Sequence, residues 1–218
     1  MAKKKAKPPK NLGTGQDISK FIALKDELWT TREYAPKVRR VVRRGKVKVM
    51  GDILGFVRGL RLSARLIYIL RPKLHDQHVE VNWGHIQDDQ RRMCSPECDI
   101  ILHKGGTDAR WNGDAEKCIM DFHFVQAAKV KAVISCKSKL TSIDVDFLNF
   151  VRKEFKIKHV LLFAESVPAK SRAALVKKAR KCGYSGLWYL YEVGKDRLPV
   201  IDENVYLDFL STVKALAN

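Results

Sequence analysis

Between Ala35 and Gly51 the chain has no acidic residue, and over its 218 residues Asp and Glu number 24 against 42 Lys and Arg. This shortage leaves a formal charge of +18. Such an imbalance argues against an acidic partner surface and for a polyanionic one, because phosphates release counterions when basic side chains replace them. Cysteine is scarce and odd in number, five in all, and scattered. A disulfide framework is therefore not expected, and a reducing, cytoplasmic setting is. Long apolar runs are missing as well. The stretch Leu66 to Leu70 is among the longest, far short of the ~20 residues a membrane span requires. Met1-Ala2-Lys3-Lys4-Lys5 leads into polar residues and not into the apolar segment of a secretory signal.

What remains is a globular composition, 45% hydrophobic, with enough chain for one domain and a tail. Residues 1–15, rich in Lys, Pro and Gly, read as a disordered basic arm. Residues 16–50 read as a basic N-terminal DNA-contacting segment. It begins with a helix over Ile18 to Tyr34 capped by Asp17. The densest charge in the chain follows: Lys37, Arg39, Arg40, Arg43, Arg44, Lys46 and Lys48. Like charges at this density repel one another unless an anion lies against them. Met50, beside the run, could wedge between base pairs or begin the apolar face of the next helix.

The core is expected over residues 51–218. A long helix over Asp52 to Leu70 presents Ile53, Leu54, Val57, Leu60, Ala64 and Ile67 as a buried stripe, with Pro72 marking its end. Its Arg58, Arg61 and Arg65 share another face, either reaching phosphates or simply facing water. Strands are expected over His78 to Ile86, Cys98 to His103, Val130 to Lys137, His159 to Ala164 and Trp188 to Val193. Helices are expected after Thr141-Ser142, from Pro168 to Cys182 with Gly183 as the stop, and from Tyr206 to Leu216. This order predicts an α/β fold with a mixed sheet of about five strands flanked by helices on both faces.

Two of these strands carry charge that a buried strand avoids. Asp99 stands at the start of one, in Pro96-Glu97-Cys98-Asp99, and Lys137 at the end of another, in Ser135-Cys136-Lys137. Phosphodiester hydrolysis needs an anionic cage for Mg²⁺, a group to activate water and a cation near the transition state. Asp99 could serve the first need and Lys137 the last.

These motifs, in this strand context, resemble the PD-(D/E)XK nuclease superfamily, and specifically type II restriction endonucleases with a Ser-x-Lys variant motif. The resemblance covers roughly Gly51 to Val193. It implies a restriction-endonuclease-like fold and a Mg²⁺-dependent endonuclease that cuts double-stranded DNA as a homodimer. Asp99 would bind the metal, Lys137 would act at the phosphate, and the Cys136 backbone carbonyl would complete part of the metal shell. The position that usually carries a second acid is Ser135. In the variant subgroup that acid comes from the following helix, thirteen residues beyond the lysine, which is Phe150 here. Asp144, Asp146 or Glu154 could substitute, and Asp146 is the choice. The further family acid would be Asp52 or Glu80, with Glu80, flanked by valines in a strand, placed ahead as a catalytic and metal-binding residue.

Other readings use the same residues. One is a nuclease effector of an antiphage system, triggered by another molecule; another is a catalytically inactive DNA-binding protein on the nuclease fold. Zinc at Cys94, Cys98 and Cys118 with His85, His103 or His123 lacks a second Cys-x3-Cys pair. A nucleophilic Cys136 is disfavoured by its place inside a strand. Trp83, Trp111, Tyr189 and Tyr191 could stack on bases, the tyrosines being better suited to the core.

Overall fold

The computed structural model describes residues 39–43, 46–50, 53–106, 109–111, 122–194 and 199–218. The arm over 1–15, the helix expected over 18–34, Lys37, Arg44, Asp52 and Cys118 lie outside them. The charged run forms an antiparallel ribbon of β1 (Arg39–Arg43) and β2 (Lys46–Met50), with Arg39 opposite Met50 and Arg43 opposite Lys46.

The long helix is α1 (Ile53–Leu74), and it continues past Pro72. Proline this near a helix end removes a single backbone donor, and the next turn is held because Leu70 and Leu74 are both buried at 1% exposure. Beyond it come β3 (Val79–Gln87), β4 (Cys98–Lys104), β5 (Ala109–Trp111), β6 (Phe122–Gln126) and β7 (Val130–Lys139). The second half of the core alternates helix and strand: α2 (Asp146–Phe155), β8 (Val160–Pro168), α3 (Arg172–Cys182), β9 (Leu187–Val193), β10 (Pro199–Ile201) and α4 (Glu203–Ala217). Helix α2 starts at Asp146, not at Thr141-Ser142; Val145 is its N-cap and has no side-chain cap, and the Asp144 side chain accepts from the Asp146 N–H at 3.0 Å in the turn that leads in. Gly183, at φ 106°, ends α3 in the left-handed conformation that glycine adopts freely.

Among the described residues eight strands share one mixed sheet in the order β10-β9-β8-β7-β4-β3-β6-β5, the expected five with the short β5, β6 and β10 added toward its edges. The pairs β7–β8, β8–β9 and β3–β6 are parallel, and the remaining neighbours are antiparallel. Helices α1 and α4 close one face through Leu62, Leu66, Leu70, Phe209 and Leu210 over Ile100, Ile134, Cys136 and Phe163. Helices α2 and α3 close the other through Leu148, Val151, Leu175 and Ala179 over Ile101, Val133, Leu162 and Ala164. The central strands are buried on both sides and therefore read as continuous apolar runs.

Two irregularities shape the middle of the sheet. Asn82 lies opposite Ile101 but Gly84 lies opposite Cys98, so Asp99 and Ile100 together oppose Trp83 alone. This is a bulge in β4, and it re-aims the side chain beside it. Gly84 itself sits at φ 153°, and a Cβ there would fall 1.9 Å from the His123 carbonyl oxygen. Only glycine lets β6 approach β3 at that point.

Candidate active site

Strands β4 and β7 pair regularly through Leu102–Ala132, Ile101–Val133 and Ile100–Ile134, and the ladder stops there. The bulge has displaced the next β4 backbone group. In its place the Asp99 carboxylate Oδ2 accepts the Cys136 N–H at 2.8 Å. Within a strand the N–H and C=O of one residue face the same neighbour, so the Cys136 carbonyl turns to the same side as Asp99.

Asp99 is half-buried. Burial holds its carboxyl above the ordinary carboxylate value, while the Cys136 N–H, the Lys137 ammonium and Ser63 pull it down and the nearby Glu97 charge pushes it up. Ser63, on α1, is buried and donates to the Gly59 carbonyl at 3.1 Å. Its single hydroxyl proton can serve that carbonyl or Asp99, one at a time. Lys137 is half-exposed, two residues beyond Ser135 on β7. Ser135 is buried at 3% exposure and offers a hydroxyl where a carboxylate would carry charge.

The structure thus gathers Asp99, Cys136 and Lys137 from two strand ends, and it adds Glu97, which the sequence reading left without a role. Glu97 is exposed, and its Oε1 accepts the Trp83 indole N–H at 2.7 Å. Trp83 is braced edge-on by Phe122, with ring centroids 5.0 Å apart. No regularity along the chain reveals this link, because it depends on the β4 bulge and on the pairing of β3 with β6.

Glu80 and Asp146 stand elsewhere. Glu80 lies opposite His103, four residues along β4 from Asp99, about 13 Å at strand rise. There it joins a separate polar network. Asn82 Nδ2 contacts His103 Nε2 at 2.8 Å and donates to Glu80 Oε2 at 3.3 Å, and Arg71 donates to Asn82 Oδ1 at 2.9 Å. His103 Nδ1 lies 3.1 Å from the Gly105 carbonyl, which can only accept. That fixes the proton on Nδ1 and leaves Nε2 to accept from Asn82. Asp146 is exposed in the first turn of α2. Its helix covers the face opposite the one that carries Ser63 and Cys136. The charged ribbon contributes Arg39, Arg40, Arg43, Lys46, Lys48 and Met50 as positions in a two-stranded sheet.

Among the described residues no three His, Cys, Asp or Glu side chains converge as a metal cage. Burial pushes the Cys98 thiol up to about 12 and the Cys136 thiol well above its ordinary value. A hard cation is a different case. Mg²⁺ keeps several waters and takes one or two carboxylates with other oxygens, and Asp99 with the Cys136 carbonyl could meet that demand.

No family model matches the chain, and no curated protein matches it. Solved structures do. The cAAA-bound form of NucC from E. coli MS115-1 superposes with a TM-score of 0.53 at 11% identity, over 98% of this chain and 92% of that one. The cAAA-bound form of NucC from P. aeruginosa ATCC27853 gives 0.53 at 11%, over 94% and 90%. At such identity the likeness is one of architecture. The chain has a restriction-endonuclease-like fold, a mixed sheet flanked by helices on both faces, which it shares with these NucC structures.

Proposed function

We propose that the protein is a Mg²⁺-dependent DNA endonuclease acting as a nuclease effector of an antiphage system, and not a type II restriction enzyme. One observation carries the nuclease reading: where the β4–β7 ladder ends, the Asp99 carboxylate accepts the Cys136 N–H, within electrostatic reach of the Lys137 ammonium. The likeness to NucC, a nuclease effector of antiphage systems, favours the effector over the restriction enzyme. It also suggests that the trigger is cAAA or a related cyclic oligonucleotide.

In this reading Asp99 and the Cys136 carbonyl would hold a divalent cation, which when bound would neutralise charge on the scissile phosphate and lower the pKa of a water. Asp99, held by the Cys136 N–H, fixes one side of the cation shell, and the Cys136 carbonyl supplies a neutral oxygen beside it. Lys137 places an ammonium against the phosphate, where negative charge builds in the transition state. The ribbon carries Arg39, Arg40, Arg43, Lys46 and Lys48 on two paired strands, and a run of like charge this dense in the sequence favours a polyanionic partner. Duplex phosphates are the anion that fits.

The test is cleavage of plasmid DNA by the purified full chain in Mg²⁺ or Mn²⁺, with and without cAAA. Degradation to small fragments that depends on the cyclic oligonucleotide supports the effector. Discrete fragments without it restore the restriction-enzyme reading. DNA binding with no cleavage in either metal, with or without cAAA, leaves only the inactive DNA-binding protein.

A further inference from the structure

The superfamily's second carboxylate is missing at Ser135, and the sequence looks for it downstream on α2. The geometry points to Glu97 instead: its carboxylate joins Asp99 and the Cys136 carbonyl as the second anionic ligand of the divalent cation, with Trp83 as the residue that positions it. The inference rests on the nuclease reading above and names the group that makes its site complete.

Three observations support it. Glu97 stands one residue before β4 and Asp99 is that strand's second residue, so two acids flank Cys98 at the strand end, and the extra methylene of Glu lengthens its reach. The bulge places Asp99 opposite Trp83, the same residue whose indole N–H holds Glu97 Oε1 at 2.7 Å. That contact occupies one oxygen and leaves Oε2 for a cation. Finally, Trp83 can only donate through its indole, so it orients a carboxylate without competing for metal, as outer-shell partners in metal sites do. Its own rotation is restrained by Phe122. An exposed glutamate on a loop tip would lack such an anchor.

Ser135 is small and buried, so a carboxylate brought in from the strand end makes the charge at that position unnecessary. This replaces a ligand within β7 by one just before β4, and the cation stays between the same two strands.

The experiment is Mn²⁺ titration calorimetry on the full chain, with thermal unfolding of each variant without metal. Glu97→Gln keeps the acceptor for Trp83 and removes the charge. It should weaken Mn²⁺ binding at least about tenfold while leaving the metal-free unfolding temperature unchanged, since the side chain is exposed. Trp83→Phe should weaken binding by about tenfold through loss of the anchor. Adding Ser135→Asp to Glu97→Gln should recover affinity by returning an acid to the β7 position. Unchanged Mn²⁺ affinity in Glu97→Gln, with a tenfold loss in Asp146→Asn, overturns the inference and leaves the nuclease reading standing. No Mn²⁺ binding by the unaltered chain overturns both.

Discussion

The two ends of β4 each carry a polar residue in an apolar strand, and they are built on opposite plans. At the His103 end every polar atom has a neutral or matched partner: the imidazole lies between Asn82 and the Gly105 carbonyl, Asn82 is held by Arg71, and Glu80 closes the group. His103 is fully buried, and the network is self-contained. At the Asp99 end a carboxylate is kept partly out of water with one backbone N–H to satisfy it, beside an ammonium, a second acid and a carbonyl. The first arrangement needs nothing more. The second leaves carboxylate oxygens for a further partner, as the proposed cation site requires and a polar plug in the core does not.

The comparison is sharpest under mutation. Asp99→Ala or Lys137→Ala should lower cleavage by about 10³-fold, roughly 4 kcal/mol in the barrier, with little change in fold. His103→Ala should do the reverse. It opens a cavity and strips Asn82 of a buried partner, costing about 3 kcal/mol of stability, while the fraction that remains folded cuts at the normal rate. Plasmid cleavage normalised to folded protein by circular dichroism separates the two. If His103→Ala abolished cleavage in fully folded protein, the division between the ends would fail.

Smaller effects follow from charge. Asp99→Asn keeps an oxygen for the Cys136 N–H and removes a charge that burial disfavours, so the metal-free protein should gain stability. Each kcal/mol gained raises the unfolding temperature of a chain this size by roughly 2–4 °C. The two ends should also respond oppositely to pH. Burial lowers the His103 pKa from its ordinary 6.5, so the unfolded chain binds more protons near that value. This contribution to stability is complete above about pH 6.5 and is lost as pH falls below it. The Asp99 pKa is raised from 3.8, so the folded chain binds more protons. Stability is therefore lost as pH rises from 3.8 through the raised value. Either group alone changes the slope by at most about 1.4 kcal/mol per pH unit. Denaturant titrations of the metal-free chain across pH 4 to 8 measure both, and each slope should disappear in His103→Ala or Asp99→Asn respectively.

Much of this architecture was legible in the chain. The strands β4, β7, β8 and β9 read from the sequence because doubly buried strands are short, apolar and bounded by turns, and β3 reads from its alternation. Asp99 and Lys137 stood out because charge at the ends of such runs is costly. Strand β6, with its half-exposed aromatics Phe122 and Phe124, has no local mark of its parallel pairing with β3. The ribbon over Arg39–Met50 was hidden because charge overwhelmed the alternation of its valines. Glu80 was misplaced for an instructive reason: a glutamate between valines signals a strand, but it does not say which end of the sheet that strand reaches. Glu97 was overlooked because its position depends on a bulge two residues away and on an indole from another strand.

In the proposed reading cleavage depends on a trigger, whereas the cation site should be measurable without one. The most direct test of the Asp99 end is therefore Mn²⁺ titration calorimetry of the unaltered full chain beside Asp99→Asn. A binding isotherm in the unaltered chain, lost in Asp99→Asn while the fold persists, is the predicted result. Equal binding by both proteins, or none by the unaltered one, would contradict it.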